Sequence, residues 1–110
     1  MKIILGAHQL SGDPDVIFLD HARFRVSRDL KSVYLPRLEF RMAAALVANI
    51  GRYVDYRDLT EHLYGDAVDG GALNVSNVLK KRIWEIRKKL LCMGITFSVH
   101  TGRGYEAHVA

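Results

Sequence analysis

Residues 77–91 read Asn-Val-Leu-Lys-Lys-Arg-Ile-Trp-Glu-Ile-Arg-Lys-Lys-Leu-Leu, NVLKKRIWEIRKKLL. Six of these residues are basic (Lys80, Lys81, Arg82, Arg87, Lys88 and Lys89) and one, Glu85, is acidic. The segment therefore carries +5, against +4 for the whole chain of 110 residues, so the remaining residues sum to −1. At about 100° per residue, Val75, Leu79, Ile83, Ile86 and Leu90 fall within an arc of about 80°. Opposite that arc stand Asn77, Lys81, Trp84 and Lys88, flanked by Asn74, Lys80 and Glu85. Arg82 and Arg87 lie nearer the edges of the apolar stripe. The spacing predicts a helix from about Leu73 to about Leu91 with one apolar face and one basic face. Surface helices usually mix signs so that i,i+4 pairs form; this one has a single acid.

The flanking sequence supplies the rest of the fold. Downstream, Gly94 breaks the helix, ITFSV alternates as a strand, HTGRG turns and YEAHV returns. Upstream, GDAVDGGA reads as a loop, and Asp55 caps a helix whose buried side carries Leu59 and Leu63 and which Gly65 closes. Before it, Leu38, Met42, Ala45 and Leu46 mark an amphipathic helix opened by Pro36 and stopped by Gly51. Residues 2–5, 16–19, 23–27 and 32–35 read as short strands, with Phe24 and Val26 on one face. The order of strands, three helices and a hairpin is α+β. One domain spans 1–110: an N-terminal sheet over 1–35, a helical core over 36–93 and a hairpin over 94–110.

Composition narrows the function. Apolar and charged fractions of 49% and 25% are those of a globular protein. The single cysteine, Cys92, excludes an internal disulfide and fits a reducing compartment. The first residues lack a signal peptide's apolar run, and AAALVANI is far short of a membrane span, so a cytoplasmic protein with no membrane partner is expected. The five histidines show no i,i+4 pair and no zinc spacing with Cys92. GDAVDGG lacks the lysine of a phosphate-binding loop, and Asp66 and Asp69 are explained by turn formation. Catalysis, metal and cofactor are not expected. A basic helix beside a hairpin turn carrying His100 and Arg103 fits DNA, whose major groove is about 12 Å wide and admits one helix.

Five short motifs, in order and over residues 16–109, resemble the winged helix-turn-helix effector domain of bacterial OmpR/PhoB-type response regulators. LPRLEF resembles the opening of that family's first helix and VDYRDL the start of its second. LYG resembles the end of the second helix, IWEIRKKL the recognition helix, and TGRGYEAHV the hairpin called the wing. The resemblance implies an N-terminal antiparallel sheet, a third helix in the major groove and a wing over the minor groove. It also implies contact of the loop 65–72 with RNA polymerase, and self-association as a homodimer on DNA. Such domains normally follow a receiver domain with a phosphorylated aspartate. A chain that starts at Met1 with MKIIL and has no receiver is expected to be a stand-alone regulator or a cut-out domain, the untagged start favouring the former.

Departures from the family pattern carry their own expectations. Pro36 stands where a Thr or Ser would form a capping box with Glu39, so this helix end lacks a cap that contributes about 1 kcal/mol. Trp84 either lies over the DNA backbone and thymine methyls or packs on the wing or a partner protein. Glu85 either accepts from a cytosine amino group or pairs with Lys81 or Lys89. Asn77 reads adenine or touches phosphate. Thr101 replaces the wing arginine, and Arg103 takes over its minor-groove role. Gly102 and Gly104 are expected to supply positive φ in the wing turn. The DNA-binding set is thus Asn77, Lys80, Lys81, Arg82, Trp84, Glu85, Arg87, Lys88, Thr101 and Arg103, serving a sequence-specific regulator of transcription that binds double-stranded DNA. The competing reading is a winged helix that binds RNA polymerase or another regulator through Trp84 and the loop 65–72.

Overall fold

A computed structural model describes residues 2–6, 14–64, 75–100 and 103–109, leaving aside the side chains of Tyr64 and residues 75–78. In chain order the elements are β1 (Lys2–Leu5), β2 (Val16–Asp20), β3 (Arg25–Arg28), β4 (Lys31–Tyr34), α1 (Arg37–Val47), β5 (Tyr53–Asp55), α2 (Tyr56–Tyr64), α3 (Val75–Leu90), a 3-10 turn (Leu91–Met93), β6 (Ile95–His100) and β7 (Gly104–Val109). The first sheet has the order β1-β2-β3-β4 and the second β5-β7-β6. The α+β order expected from the sequence is the order found.

Within the first sheet, β2, β3 and β4 run antiparallel. β1 departs from the wholly antiparallel arrangement expected. It runs parallel to β2, with Ile3 opposite Ile17 and Leu5 opposite Leu19. The connection between Leu5 and Val16 is long enough to cross back to the start of β2, where a hairpin would have reversed direction at once. The third strand also begins later than the alternation in RFRVS suggests. The Asp20 carboxylate accepts the backbone N–H groups of Ala22 and Arg23, at 3.1 and 3.2 Å, and folds residues 21–24 into a turn. Phe24 ends that turn at φ 55°, a left-handed conformation that costs a bulky residue about 1–2 kcal/mol. Its ring packs against Phe40, 5.8 Å between centroids.

Pro36 occupies the N-cap of α1 and makes no side-chain cap bond, as the missing hydroxyl dictates. α1 ends at Val47, and the chain turns through Asn49 and Ile50 to Gly51 at φ 83°, which reverses it toward β5. α2 is capped as its sequence demands: Asp55 Oδ1 accepts the N–H of Asp58 at 2.8 Å. Gly65, expected to close α2, lies outside the described residues. Phe40, Met42, Leu46, Leu59, Leu63, Leu79, Ile86, Leu90, Ile95 and Tyr105 are fully buried together. This core joins all three helices to the faces of both sheets.

Gly104 has a different role from the one expected. The described glycines with positive φ are Gly6, Gly51 and Gly94, and Gly104 is not among them. A Cβ on Gly104 would stand 1.9 Å from the carbonyl oxygen of Val54. The glycine is needed because β7 passes directly against β5, pairing Gly104 with Asp55. Gly102 lies outside the described residues.

Candidate nucleic-acid interface

α3 is held by its apolar stripe. Leu79, Ile83, Ile86 and Leu90 are buried, each worth about 1.5–3 kcal/mol relative to exposure. Burying that stripe forces the opposite side of the helix outward. Lys80, Lys81, Trp84, Arg87 and Lys88 are all exposed, and at about 100° per residue they share an arc of about 120° centred on Trp84. Among the described residues, Lys80, Lys81, Arg87 and Arg103 have no ion-pair partner. Four of the cations named from the sequence therefore stand in solvent with their charge uncommitted.

Arg82 stands apart from that group. It and Lys89 lie on one edge of the apolar stripe, about 20° apart in projection, and both turn back toward α1. Lys89 Nζ donates to Glu39 Oε1 at 2.7 Å, and Arg82 Nη1 lies 3.9 Å from Glu39 Oε2. The Glu39 side chain is 6% exposed. The acid that the family pattern places in a capping box instead ties the first helix to the third. Of the six cations in the opening segment, two serve this seam.

Glu85 pairs with Lys88 at 3.3 Å, and neither Lys81 nor Lys89 is its partner. Lys89 is drawn to Glu39, and Lys88, one turn along from Glu85, takes its place. Lys88 Nζ also sits 3.6 Å from the centroid of the Trp84 ring, a cation–π contact one helical turn long. Trp84 is 58% exposed on the outer side of α3, facing the edge of β6 across a shallow groove. Asn77 lies on α3, but its side chain falls outside the described set. Thr101 and the loop 65–72 are outside it as well.

The hairpin formed by β6 and β7 stands beside the N-terminus of α2. The N–H of Tyr56 donates to the carbonyl of Arg103 at 2.7 Å, which fixes the hairpin tip against the start of that helix. Exposed Arg57 follows Tyr56 directly at this junction. It went unnoticed in the sequence as an isolated arginine in a short segment, and only the bond between Tyr56 and Arg103 brings it near the hairpin tip. On the hairpin surface, His100 Nε2 is 3.0 Å from Glu106 Oε1, and His108 Nε2 is 2.8 Å from Ser98 Oγ. Burial of Tyr105, with Tyr56 beside it, pushes its phenol up to about 12 from the ordinary 10.0.

The first sheet is tied to the far end of α3. Arg28 Nη1 donates to the carbonyl of Met93 at 2.6 Å and Lys31 Nζ to that of Cys92 at 3.0 Å. These cations meet the carbonyl-rich end that follows the helix, where its dipole is negative. At the opposite edge of β2, burial works against ionisation of Asp20. The N–H groups of Arg23 and Ala22 and the Arg23 guanidinium outweigh it and hold the carboxyl below its ordinary range. No described group of three His, Cys, Asp or Glu residues is arranged to hold a metal ion, and no described helix is long and apolar enough to cross a membrane.

Three solved structures match this architecture over nearly its whole length. The C-terminal domain of the nisin resistance regulator NsrR, a lantibiotic response regulator, superposes with a TM-score of 0.65 at 21% identity, covering 93% of this chain and 97% of that one. The DNA-binding domain of the response regulator AdeR, in complex with an intercistronic region, gives 0.64 at 17% identity, covering 94% and 98%. The DNA-binding domain of E. coli CadC gives 0.66 at 16% identity, covering 94% and 96%. No family model matches the chain, and no curated protein matches it by sequence. The fold is the winged helix-turn-helix of response-regulator effector domains, as the five motifs imply.

Proposed function

We propose that the protein is a DNA-binding regulator of transcription that places α3 in the major groove of a duplex and the β6–β7 hairpin at the adjacent minor groove. The observation that carries this reading is the outward basic arc of α3. Lys80, Lys81, Arg87 and Lys88 are exposed on the face opposite the core, on an element that α1 holds rigidly through Glu39. Such cations neutralise phosphates and release counterions, which supplies sequence-independent affinity. Phosphate contacts set register, while base edges are read by side chains on the same arc. In this reading Trp84 meets thymine methyls, and Asn77, on the first turn of α3, reads adenine or touches phosphate. Arg103 serves the minor groove, where a cation is attracted to a narrow A·T-rich tract. Arg57 adds a phosphate contact at the junction of hairpin and α2.

Arg82 is left out of the phosphate set because its guanidinium faces Glu39. Neither a cofactor nor catalysis is part of this function. Similarity to the AdeR domain, whose structure holds an intercistronic region, supports the duplex as partner. Association of two copies on adjacent sites, contact of the loop 65–72 with RNA polymerase and a cytoplasmic location belong to the same proposal. Selection of bound sequences from a pool of random duplexes tests it. A single enriched motif, lost from the Lys81→Glu, Lys88→Glu variant, is the expected result. A pool that stays random sinks sequence-specific recognition.

A further inference from the structure

Beside the basic arc, α3 and β6 frame a groove of about 390 Å³ lined by Trp84, Arg87, Lys88, Leu91, Ile95 and Thr96. That volume is within the range of sites that take a small ligand or a few inserted side chains, about 300–1,000 Å³. Its walls are hydrocarbon. Trp84 and Leu91 are 58% and 64% exposed, and Ile95 forms a buried floor. Large apolar side chains grouped in water mark an interaction surface. DNA does not fill this groove well. A phosphate pressed against Leu91 and Ile95 would lose its hydration and gain no donor in return.

The rim decides the charge of the occupant. Arg87 has no ion-pair partner among the described residues, and Lys88 holds its ammonium over the Trp84 ring at the groove's edge. A basic segment is repelled here, and a neutral one leaves Arg87 unmatched, whereas Lys88 is already paired with Glu85. We propose that the α3–β6 groove docks an acidic amphipathic segment of a partner protein. One or two bulky apolar side chains enter between Trp84 and Leu91, and carboxylates lie against Arg87 and Lys88. The mode is that of an amphipathic helix laid in a groove. Because Arg87 and Lys88 also belong to the surface assigned to the duplex, segment and DNA exclude one another. That exclusion rests on the DNA-binding reading, whereas the docking itself does not. By linkage, each ligand weakens the other by the same factor.

Trp84 is the only tryptophan of the chain, so its emission reports the groove directly. The probe is a synthetic helical peptide of about fourteen residues, with leucines at i, i+3, i+4 and i+7 and glutamates elsewhere. Two controls replace its leucines by serine or its glutamates by lysine. The acidic leucine peptide is expected to shift Trp84 emission to the blue without DNA present, and to displace a labelled duplex when DNA is present. The two control peptides are expected to do neither. Leu91→Ser, at an exposed position that does not endanger folding, is expected to weaken the peptide roughly tenfold while leaving duplex affinity within about twofold. Thr96→Asp is expected to weaken the peptide as well, by like charge on the groove wall. Unchanged Trp84 emission at millimolar peptide overturns the proposal. So does a serine peptide that acts as well as the leucine peptide, or wild-type peptide affinity in both variants. A protein that takes up the peptide but no duplex supports the groove and refutes the DNA reading, so the two failures are told apart.

Discussion

Lys89 Nζ lies 2.7 Å from Glu39 Oε1, joining residues fifty apart in sequence across the seam between α1 and α3. The two ends of this bond are unequal. Glu39 is 6% exposed, while Lys89 and Arg82 are 34% and 31% exposed. Removing Lys89 strands a carboxylate in the interior with only Arg82 near it. Removing the carboxylate leaves two cations that swing into water. Lys89→Ala is therefore expected to cost about 2 kcal/mol, less than breaking a fully buried pair because Lys89 is a third exposed and Arg82 remains beside the carboxylate. Glu39→Gln is expected to cost only about 1 kcal/mol. Urea unfolding of the two variants measures both. Equal losses would mean that Glu39 does not depend on Lys89.

Gly104 and Gly51 are expected to answer to alanine differently. At Gly104 the new Cβ meets the Val54 carbonyl at 1.9 Å, and the next nearest atoms, Asp55 Cα and Val54 C, are backbone of the same strand, which leaves nothing soft to move. Loss of more than about 3 kcal/mol follows, beyond ordinary overpacking. At Gly51 the space is open but φ is 83°, so only conformational strain of about 1–2 kcal/mol is added. Thermal unfolding ranks the two variants. A Gly104→Ala protein as stable as Gly51→Ala would contradict the close passage of β7 against β5.

Asp20 and Tyr105 are expected to make stability depend on pH at the acid and alkaline ends. The folded Asp20 carboxyl is held below its ordinary 3.8. Its contribution is complete above that value, declines as pH falls below it and is gone once the folded group protonates. Wild type should therefore lose stability below about pH 4 relative to Asp20→Asn, which lacks this dependence. Tyr105 is raised from 10.0 to about 12, so its contribution is complete below pH 10 and is lost as pH rises toward 12. Tyr105→Phe should remove that alkaline loss. Unfolding at fixed urea across the pH range checks both edges. Parallel curves for wild type and variant would contradict the assigned environment.

Much of this was legible beforehand, where the signal is local. The apolar stripe of α3, the Asp55 cap and the turn residues around Gly94 each lie within a few positions of what they determine. The site itself was legible in part. Lys80, Lys81, Trp84, Arg87 and Lys88 follow from helical geometry once the buried stripe is known. What escaped reading depends on partners distant in sequence. Arg82 looks like Lys81 in a list of residues, and only Glu39 on α1 separates them. Parallel pairing of β1 with β2 is a matter of strand direction, which alternation does not encode. The role of Gly104 lies in the approach of Val54, and Arg57 joins the site only because Tyr56 is bonded to Arg103.

The most direct test of the central claim is duplex affinity as a function of salt, for the wild type and for Lys81→Glu, Lys88→Glu. The four exposed cations on α3 alone should give a slope of log K against log salt of roughly −4, and the contacts at the hairpin should steepen it. Affinity should then fall on the order of a hundredfold between about 50 and 200 mM salt. The double variant, folded by circular dichroism, should bind weakly at every salt concentration and show a shallower slope. A variant that binds duplex with wild-type affinity and slope would contradict the account.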